Sequence, residues 1–176
     1  MRVIKYVGVI NLAQAHIRLS EAADLPVLTE IYNEQVLNGV ATFDTEPKSL
    51  AERKTWFDSH RHPRYPLVSA LVDYQVAGWG SLSPFHTRPA YNPTAEFSVY
   101  VHTDYRGRGV GGLILEDLLR RAREAEFHSV IGLISGSNAV SLAMAEKFGF
   151  RQVGRYLEVG RKFEQWLDVV SVQLML

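Results

Sequence analysis

The chain has 176 residues, 47% of them hydrophobic and 22% charged, which fits one globular core and excludes a collagen-like, disordered or disulfide-stapled chain. Lys+Arg and Asp+Glu balance at 19 each; this removes the electrostatic drive of a general nucleic-acid or anionic-lipid binder and leaves a small molecule or a protein as the expected substrate. The absence of cysteine excludes disulfides, thiolate metal sites and a cysteine nucleophile, and no stretch is apolar over the ~20 residues of a membrane span.

Arg2 and Lys5 followed by apolar Tyr6 to Leu12 and Ala13-Gln14-Ala15 mimic a secretory signal. The apolar run is at the short limit of roughly 7 residues, Asn11 interrupts it, and Val3, Ile4, Val7, Val9 and Ile10 suit a strand. Residues 1–16 therefore read as an N-terminal extension, an extra strand or a loose arm, ahead of a single domain over 17–176.

A short strand is expected at Ile17 to Leu19. Ser20 and the acidic residues after it, with Pro26 in a first turn, open a helix on which Leu25, Leu28, Ile31, Tyr32 and Gln35-Val36 keep helical spacing until Asn38-Gly39 stops it. A second helix is expected over Ser49 to His60, with Leu50, Trp56 and Phe57 as its apolar side, ended by Pro63 and Pro66. Leu67 to Val72 and Val76 to Ser81 read as strands joined by a hairpin-length Asp73-Tyr74-Gln75. Three prolines make Ser83 to Pro93 a long loop before a strand over Glu96 to Val101. Leu113 to Phe127 is the strongest helix, with Leu115, Leu118, Leu119 and Ala122 on one side and Glu116/Arg120 and Asp117/Arg121 as spaced ion pairs. A strand at Val130 to Ile134, a helix at Ala139 to Lys147 stopped by Gly149, and an alternating tail from Val169 to Leu176 complete an α/β chain with a mixed sheet flanked by helices.

Chemistry concentrates in Gly107-Arg108-Gly109-Val110-Gly111-Gly112, between a strand and the long helix. Glycines there free the backbone to turn N–H groups toward an anion, the helix N-terminus adds its dipole, and Arg106 and Arg108 add charge, so a phosphate or pyrophosphate is the expected ligand. The Gly107-x-Gly109-x-x-Gly112 spacing also matches a dinucleotide fingerprint, but the next strand ends in Ser135 with no acid for the ribose, and no Walker lysine follows. His60-x-His62 lacks a third ligand nearby and reads as a solvated loop rather than a metal site. Trp79, Trp166, Phe85 and Phe163 read as core aromatics.

Read as Arg106-Gly107-Arg108-Gly109-Val110-Gly111, the glycine segment resembles the pyrophosphate loop, Arg/Gln-x-x-Gly-x-Gly/Ala, of the GNAT superfamily of N-acetyltransferases. Asn138, Ser141 and the Glu146-Lys147-Phe148-Gly149-Phe150 ending resemble that superfamily's last helix and the turn after it. Gly39 to Phe43, Ser83-Pro84-Phe85, Ala90-Tyr91, Glu96-x-Ser98-Val99-Tyr100-Val101 and Gly160-Arg161-Lys162-Phe163-x-x-Trp166-Leu167-Asp168 are similar to its phosphinothricin and methionine sulfone acetyltransferase branch. The similarity runs from about Ile17 to Leu176.

The resemblance implies the acyl-CoA N-acyltransferase fold, a twisted, mostly antiparallel mixed sheet flanked by helices, and acetyl-CoA as cosubstrate without a metal. It implies direct attack of a small amino-acid-like amine (phosphinothricin, methionine sulfone or sulfoximine type) on the thioester, with Glu96 as general base. Val99, Tyr100 and Val101 inherit backbone contacts to the pantetheine arm, Arg106, Gly107, Arg108, Gly109, Val110 and Gly111 the pyrophosphate, and Asn138 a pantetheine contact or a helix cap. Phe43, Arg88 and Tyr91 match acceptor-pocket positions, Arg88 being suited to grip a carboxylate. Relatives of this branch are commonly homodimers, and a cytoplasmic enzyme is implied. The α-amine of a chain terminus, of pKa about 7.7–8.0, is neutral in roughly a tenth of molecules at pH 7, a lysine in well under a thousandth, which favours an α-amine over a lysine. The chain departs at Ala145, where the pattern usually has a His or Tyr to protonate the thiolate. Protein N-terminal or lysine acetylation, and a catalytically weak acetyl-CoA-binding module, are the alternatives that follow.

Overall fold

The computed structural model describes residues 15–60 and 62–176; the strand or arm expected in the extension lies outside them, apart from its last two residues. In chain order the elements are β1 (His16–Leu19), α1 (Leu25–Asn38), α2 (Leu50–Ser59), β2 (Leu67–Val72), β3 (Gln75–Pro84), β4 (Thr94–Val101), α3 (Val110–Glu124), β5 (Ser129–Ser135), α4 (Ala139–Lys147), β6 (Arg151–Lys162) and β7 (Gln165–Met175). They form a seven-stranded sheet in the order β1-β2-β3-β4-β5-β7-β6. Every neighbouring pair is antiparallel except β4 and β5, in agreement with the mostly antiparallel mixed sheet that the resemblance implied.

Local chemistry accounts for the element boundaries. Pro26 sits in the first turn of α1, where its missing N–H costs nothing. The Asp24 carboxylate just ahead takes both Arg18 nitrogens at 2.6 and 2.8 Å, the Glu21 N–H at 2.9 Å and the Ser69 hydroxyl at 3.0 Å. Burial pushes the Asp24 carboxyl up, but these donors prevail and hold it below the usual carboxylate range. Ser49 and Glu52 form a reciprocal capping box on α2. The β2–β3 hairpin turns on Asp73 and Tyr74, both in the left-handed region at φ 49° and 64°, the conformation that matches strand twist.

Two apolar layers enclose the sheet. On one face α3 lays Val110, Ile114, Leu115, Leu118 and Leu119 against Val68, Ala70, Leu82 and Phe97. At Gly80 it comes so near that a Cβ would stand 2.4 Å from Ile114, so only glycine permits this packing. On the other face Leu28 and Ile31 of α1 and Phe57 of α2 pack on Leu67 and Trp79.

Several expectations are corrected here. Strand β6 was not drawn from the sequence; it is an edge strand with register shifts near Val153 and between Tyr156 and Gly160, and irregular pairing leaves no clean alternation to read. Trp166 and Phe163, expected in the core, are 61% and 50% exposed because Phe163 lies in the two-residue β6–β7 turn, where it and Glu164 have positive φ, and Trp166 sits just after it on β7. Leu50 is also exposed; the inward side of α2 is Arg53, Trp56 and Phe57. His60 is packed on Trp56 at 4.7 Å, donates from Nδ1 to the Trp56 carbonyl at 2.9 Å and accepts the Ser83 hydroxyl at 3.0 Å on Nε2. It is therefore not the solvated loop residue expected; burial lowers its pKa, which suits this neutral tautomer.

Candidate active site

The site begins where the sheet opens. β4 and β5 pair only at Thr94–Ser129, Ala95–Val130 and Glu96–Ile131. Beyond that, β4 stays with β3 and β5 stays with β7, leaving a wedge whose apex is Glu96. A cavity of about 310 Å³ fills the wedge, lined by Glu96, Ser98, Val99, Tyr100, Ile134 and Asn138 among others. The backbone groups that β4 turns toward the missing neighbour at Val99 to Val101 have no strand partner there, and an incoming amide can pair with them as a further strand would.

Glu96 is half-buried, and its carboxyl makes no hydrogen bond or ion pair with the described residues. With nothing to stabilise its charge, burial pushes the carboxyl above the ordinary glutamate value of 4.5, toward the range of a useful general base.

The glycine loop lies against the same wedge. Gly107 and Gly109 have φ 72° and 85°, and Gly109 caps α3 with no side chain to satisfy the first-turn amides. The N–H groups of Val110, Gly111 and Gly112 thus remain for an anion at the positive end of the helix. A Cβ on Gly111 would stand 3.3 Å from the Met144 sulfur and 3.6 Å from Val101, so the loop borders the cleft directly. Arg108 makes no ion pair with the described residues, whereas Arg106 is already engaged: its Nε donates to the Val101 carbonyl at 3.1 Å and its terminal nitrogen to Glu34 of α1. Arg106 thus fixes the loop to β4 and α1.

The remaining predicted residues divide. Asn138 lines the cleft and caps α4 by accepting the Ser141 N–H at 3.1 Å, so both roles open to it are compatible. Phe43 lines the cleft too, its ring laid over Gly160. The loop that carries Phe43 is held by Lys162, which is buried and donates to the carbonyls of Gln35 at 3.1 Å and Thr42 at 2.8 Å. Arg88 and Tyr91 are exposed on the β3–β4 loop, where Tyr91 packs edge-on against Phe85 and tilted against His86, and they line neither cavity. Ala145 is fully buried in the α3-side core while its neighbour Met144 faces the cleft. Tyr156 is 57% exposed on β6.

Sequence reasoning missed a second cavity of about 360 Å³, on the α1/α2 face of β3 and β4, with Tyr32, Asp44, Arg53, Trp56, Trp79 and Tyr100 in its wall. Arg53 is 5% exposed and its guanidinium lies 3.5 Å from the Trp56 ring, 4.5 Å from Tyr32 and 5.2 Å from Trp79. Burial pulls its pKa down to about 10 against the opposing pull of Tyr32, Tyr100 and Asp44. Asp44 itself accepts the Tyr32 hydroxyl at 2.7 Å and pairs with Lys48 at 3.2 Å. The one signal in the sequence was a charged residue on the stripe shared with Trp56 and Phe57.

The family model described as the acetyltransferase (GNAT) family matches residues 28–150. An L-methionine sulfoximine/L-methionine sulfone acetyltransferase of Pseudomonas paraeruginosa is 37% identical, covering 92% of this chain and 95% of its own. Among solved structures, a GNAT superfamily phosphinothricin acetyltransferase from Sinorhizobium meliloti in complex with acetyl-CoA superposes with TM-score 0.90 at 37% identity, covering 93% of this chain and 89% of that one. A ribosomal-protein-alanine N-acetyltransferase from Brucella melitensis superposes with TM-score 0.89 at 35% identity, covering 92% and 98%. The chain belongs to the GNAT family of acetyltransferases. It is an acetyl-CoA-dependent N-acetyltransferase, and the uncapped α3 N-terminus beside the open edge of β4 fits that cosubstrate's pyrophosphate and amide-bearing arm.

Proposed function

We propose that the protein acetylates the α-amine of a small amino-acid-like acceptor of the phosphinothricin, methionine sulfone or methionine sulfoximine type, with Glu96 as general base. The observation that carries this reading is the position of Glu96: half-buried, unpaired and at the apex of the wedge, with a second, polar cavity on its own face of the sheet. The similarity to a methionine sulfoximine/sulfone acetyltransferase supports the acceptor class. Residues 17–176 act as one domain for this purpose, with 1–16 as an extension to it.

Acetyl-CoA supplies an acetyl group activated as a thioester. The backbone edge of Val99 to Val101 and Asn138 hold its arm, while Arg108 and the amides from Gly107 to Gly111 hold its phosphates. The acceptor must present a neutral amine, and a carboxylate raised by burial takes its proton through water more readily than an exposed one. Phe43 shields the cleft from solvent. With Ala145 withdrawn into the core, the departing thiol, of pKa about 8.5 when free, takes its proton from water.

The test is thiol release from acetyl-CoA with phosphinothricin, methionine sulfone, methionine sulfoximine, common amino acids and an alanine-initiated peptide. Release with the small amino acids and not with the peptide is the expected result. The reverse would favour a protein N-terminal acceptor, the reading for which the ribosomal-protein-alanine acetyltransferase likeness speaks.

We also infer a cytoplasmic homodimer. Val153, Tyr156, Leu157, Val159 and Trp166, all more than half exposed, are concentrated on β6 and the start of β7, an apolar surface that a second copy would cover. Sedimentation should give twice the chain mass of 19.9 kDa. Among the described residues, no helix is long and apolar enough to cross a membrane.

A further inference from the structure

We propose that Lys162 is a positioning residue for acetyl transfer: its ammonium ties the two halves of the sheet together across the wedge and fixes the loop that walls the cleft. The proposal rests on acetyl transfer as the reaction, and not on Glu96 as the base or on a particular acceptor.

The wedge divides the sheet. On one side stand β1 to β4, with α1 and α2 packed on them, and on the other β5, β7 and β6. Strand pairing joins the halves over three residue pairs that end at Glu96, so no ladder restrains the open end. Lys162 is the last residue of β6, the far edge strand. Its Nζ donates to the Gln35 carbonyl of α1 at 3.1 Å and to the Thr42 carbonyl at 2.8 Å. The bridge thus runs from the β5 side of the wedge to the β4 side.

A lysine only 4% exposed is costly to bury unless its charge is hydrogen-bonded. Here the charge serves two chain segments at once. Gln35 lies in the last turn of α1, at the negative end of the helix dipole, and Thr42 lies in the loop that follows. One ammonium, with three rotatable donors, therefore clamps residues 35–42 into a closed turn. Gly160, two positions earlier in a regular stretch of β6, is on the same face of the strand. A Cβ there would stand 2.2 Å from the Phe43 ring, so β6 offers the loop a cation and, beside it, a gap for that ring.

The clamped loop borders both cavities. Residues 40–43 line the cleft with Glu96 and Ser98, and Asp44 lines the second cavity. From α1 the Tyr32 hydroxyl bonds Thr42 and Asp44, which holds the loop to its own half of the sheet, while Lys162 and Gly160 hold it to the other half. Loss of the bridge lets the wall move where acetyl group and acceptor must meet, and a misplacement of about 1 Å there costs up to roughly 10²-fold in rate.

The first experiment is Lys162→Met, which keeps the chain length and removes the donors. At saturating acceptor, kcat should fall roughly 10–10²-fold. The dissociation constant for acetyl-CoA, measured by calorimetry without acceptor, should change by less than about threefold, since the glycine loop and the open edge of β4 are untouched. An unchanged kcat, or an equal loss of kcat and acetyl-CoA affinity, would overturn the proposal. Gly160→Ala displaces the Phe43 ring and leaves the ammonium in place. It should lower kcat as well, and the double variant should lose no more than the worse single one, because both act through one loop; losses that multiply would mean independent effects and overturn it. A further measurement needs no turnover. Amide hydrogen exchange of residues 39–44 should be roughly tenfold faster in Lys162→Met while that of α3 stays the same. A uniform acceleration, or none, overturns the bridge. Failure of the parent to acetylate any acceptor would count against the acceptor class proposed above, and the exchange result would then decide the role of Lys162.

Discussion

The two cavities that meet along Ser98 and Tyr100 of β4 are made from different materials. The wedge proposed for acetyl-CoA is built largely from backbone: a strand edge left open by the divergence of β4 and β5, glycines at positive φ and the start of α3, whose N-cap glycine offers no side chain to its amides. The second cavity is built from side chains that meet only in the fold, with Tyr32 from α1, Asp44 and Lys48 from the loop after it, Arg53 and Trp56 from α2 and Trp79 from β3. Backbone geometry recognises what every substrate of the enzyme shares, the same cosubstrate each time. Side chains can change one at a time without disturbing the sheet, so in the proposed reaction acceptor choice is expected to reside there.

That division can be broken or sharpened by substitution. The largest effect belongs to the proposed base at the apex of the wedge: Glu96→Gln should lower turnover about 10²–10⁴-fold with acetyl-CoA affinity unchanged, measured by thiol release and by titration calorimetry. The acid limb of kcat/KM should lie above the ordinary glutamate value of 4.5 and vanish in the variant. Folding raises this carboxyl's pKa, so the protonated form favours the fold below the unfolded value and that contribution is lost as pH rises through the raised one. Glu96→Gln should therefore melt no lower than the parent at neutral pH, and its advantage should fade in acid. Next in size is Gly80→Ala, whose new methyl would meet Ile114 at 2.4 Å; overpacking should destabilise by about 1–3 kcal/mol and damage both cavities alike, seen as a lower Tm. Gly109→Val forces a β-branched residue to φ 85°, costs about 1–2 kcal/mol, and should weaken acetyl-CoA binding while the preference among acceptors holds. Smallest is Tyr32→Phe, which removes the hydroxyl shared with Asp44 and Thr42. A loss of about 1 kcal/mol should appear in acceptor KM alone, and an equal change in acetyl-CoA KM would contradict the division.

The same division explains what could be read before any coordinates. The hairpin at Asp73-Tyr74, the α3 stripe and the glycine loop are local signals, each determined by residues within a few positions, and all three appear as expected. Boundaries moved where a cap was decisive: α3 begins at Val110 rather than Leu113 because Gly109 caps it, and it ends before Glu126, which has φ 57°. Strand β6 escaped because Asp168 stabilises its irregularity, accepting the Glu158 N–H at 2.8 Å and pairing with Arg155 at 2.6 Å, and such a bend interrupts alternation. The Arg53 cavity escaped for a different reason. Its residues span Tyr32 to Tyr100 in the chain, and no local pattern announces that a guanidinium will be enclosed by three aromatic rings. The motifs at Gly39 to Phe43 and Gly160 to Lys162 were noticed separately, and only the fold shows that they touch, through Phe43 on Gly160 and Lys162 on the Thr42 carbonyl.

The ion pair between Arg106 and Glu34 bears on how the enzyme responds to salt. Because that guanidinium is already neutralised, the phosphate loop offers Arg108 and a ring of amide dipoles rather than two unpaired cations. Dipoles pressed against a ligand carry no mobile counterions to release, and dissolved ions screen such close contacts poorly. If the loop holds the cosubstrate's phosphates as proposed, that contact is insulated from the medium, and cosubstrate capture should vary little across ionic strengths that would silence an enzyme relying on exposed lysines.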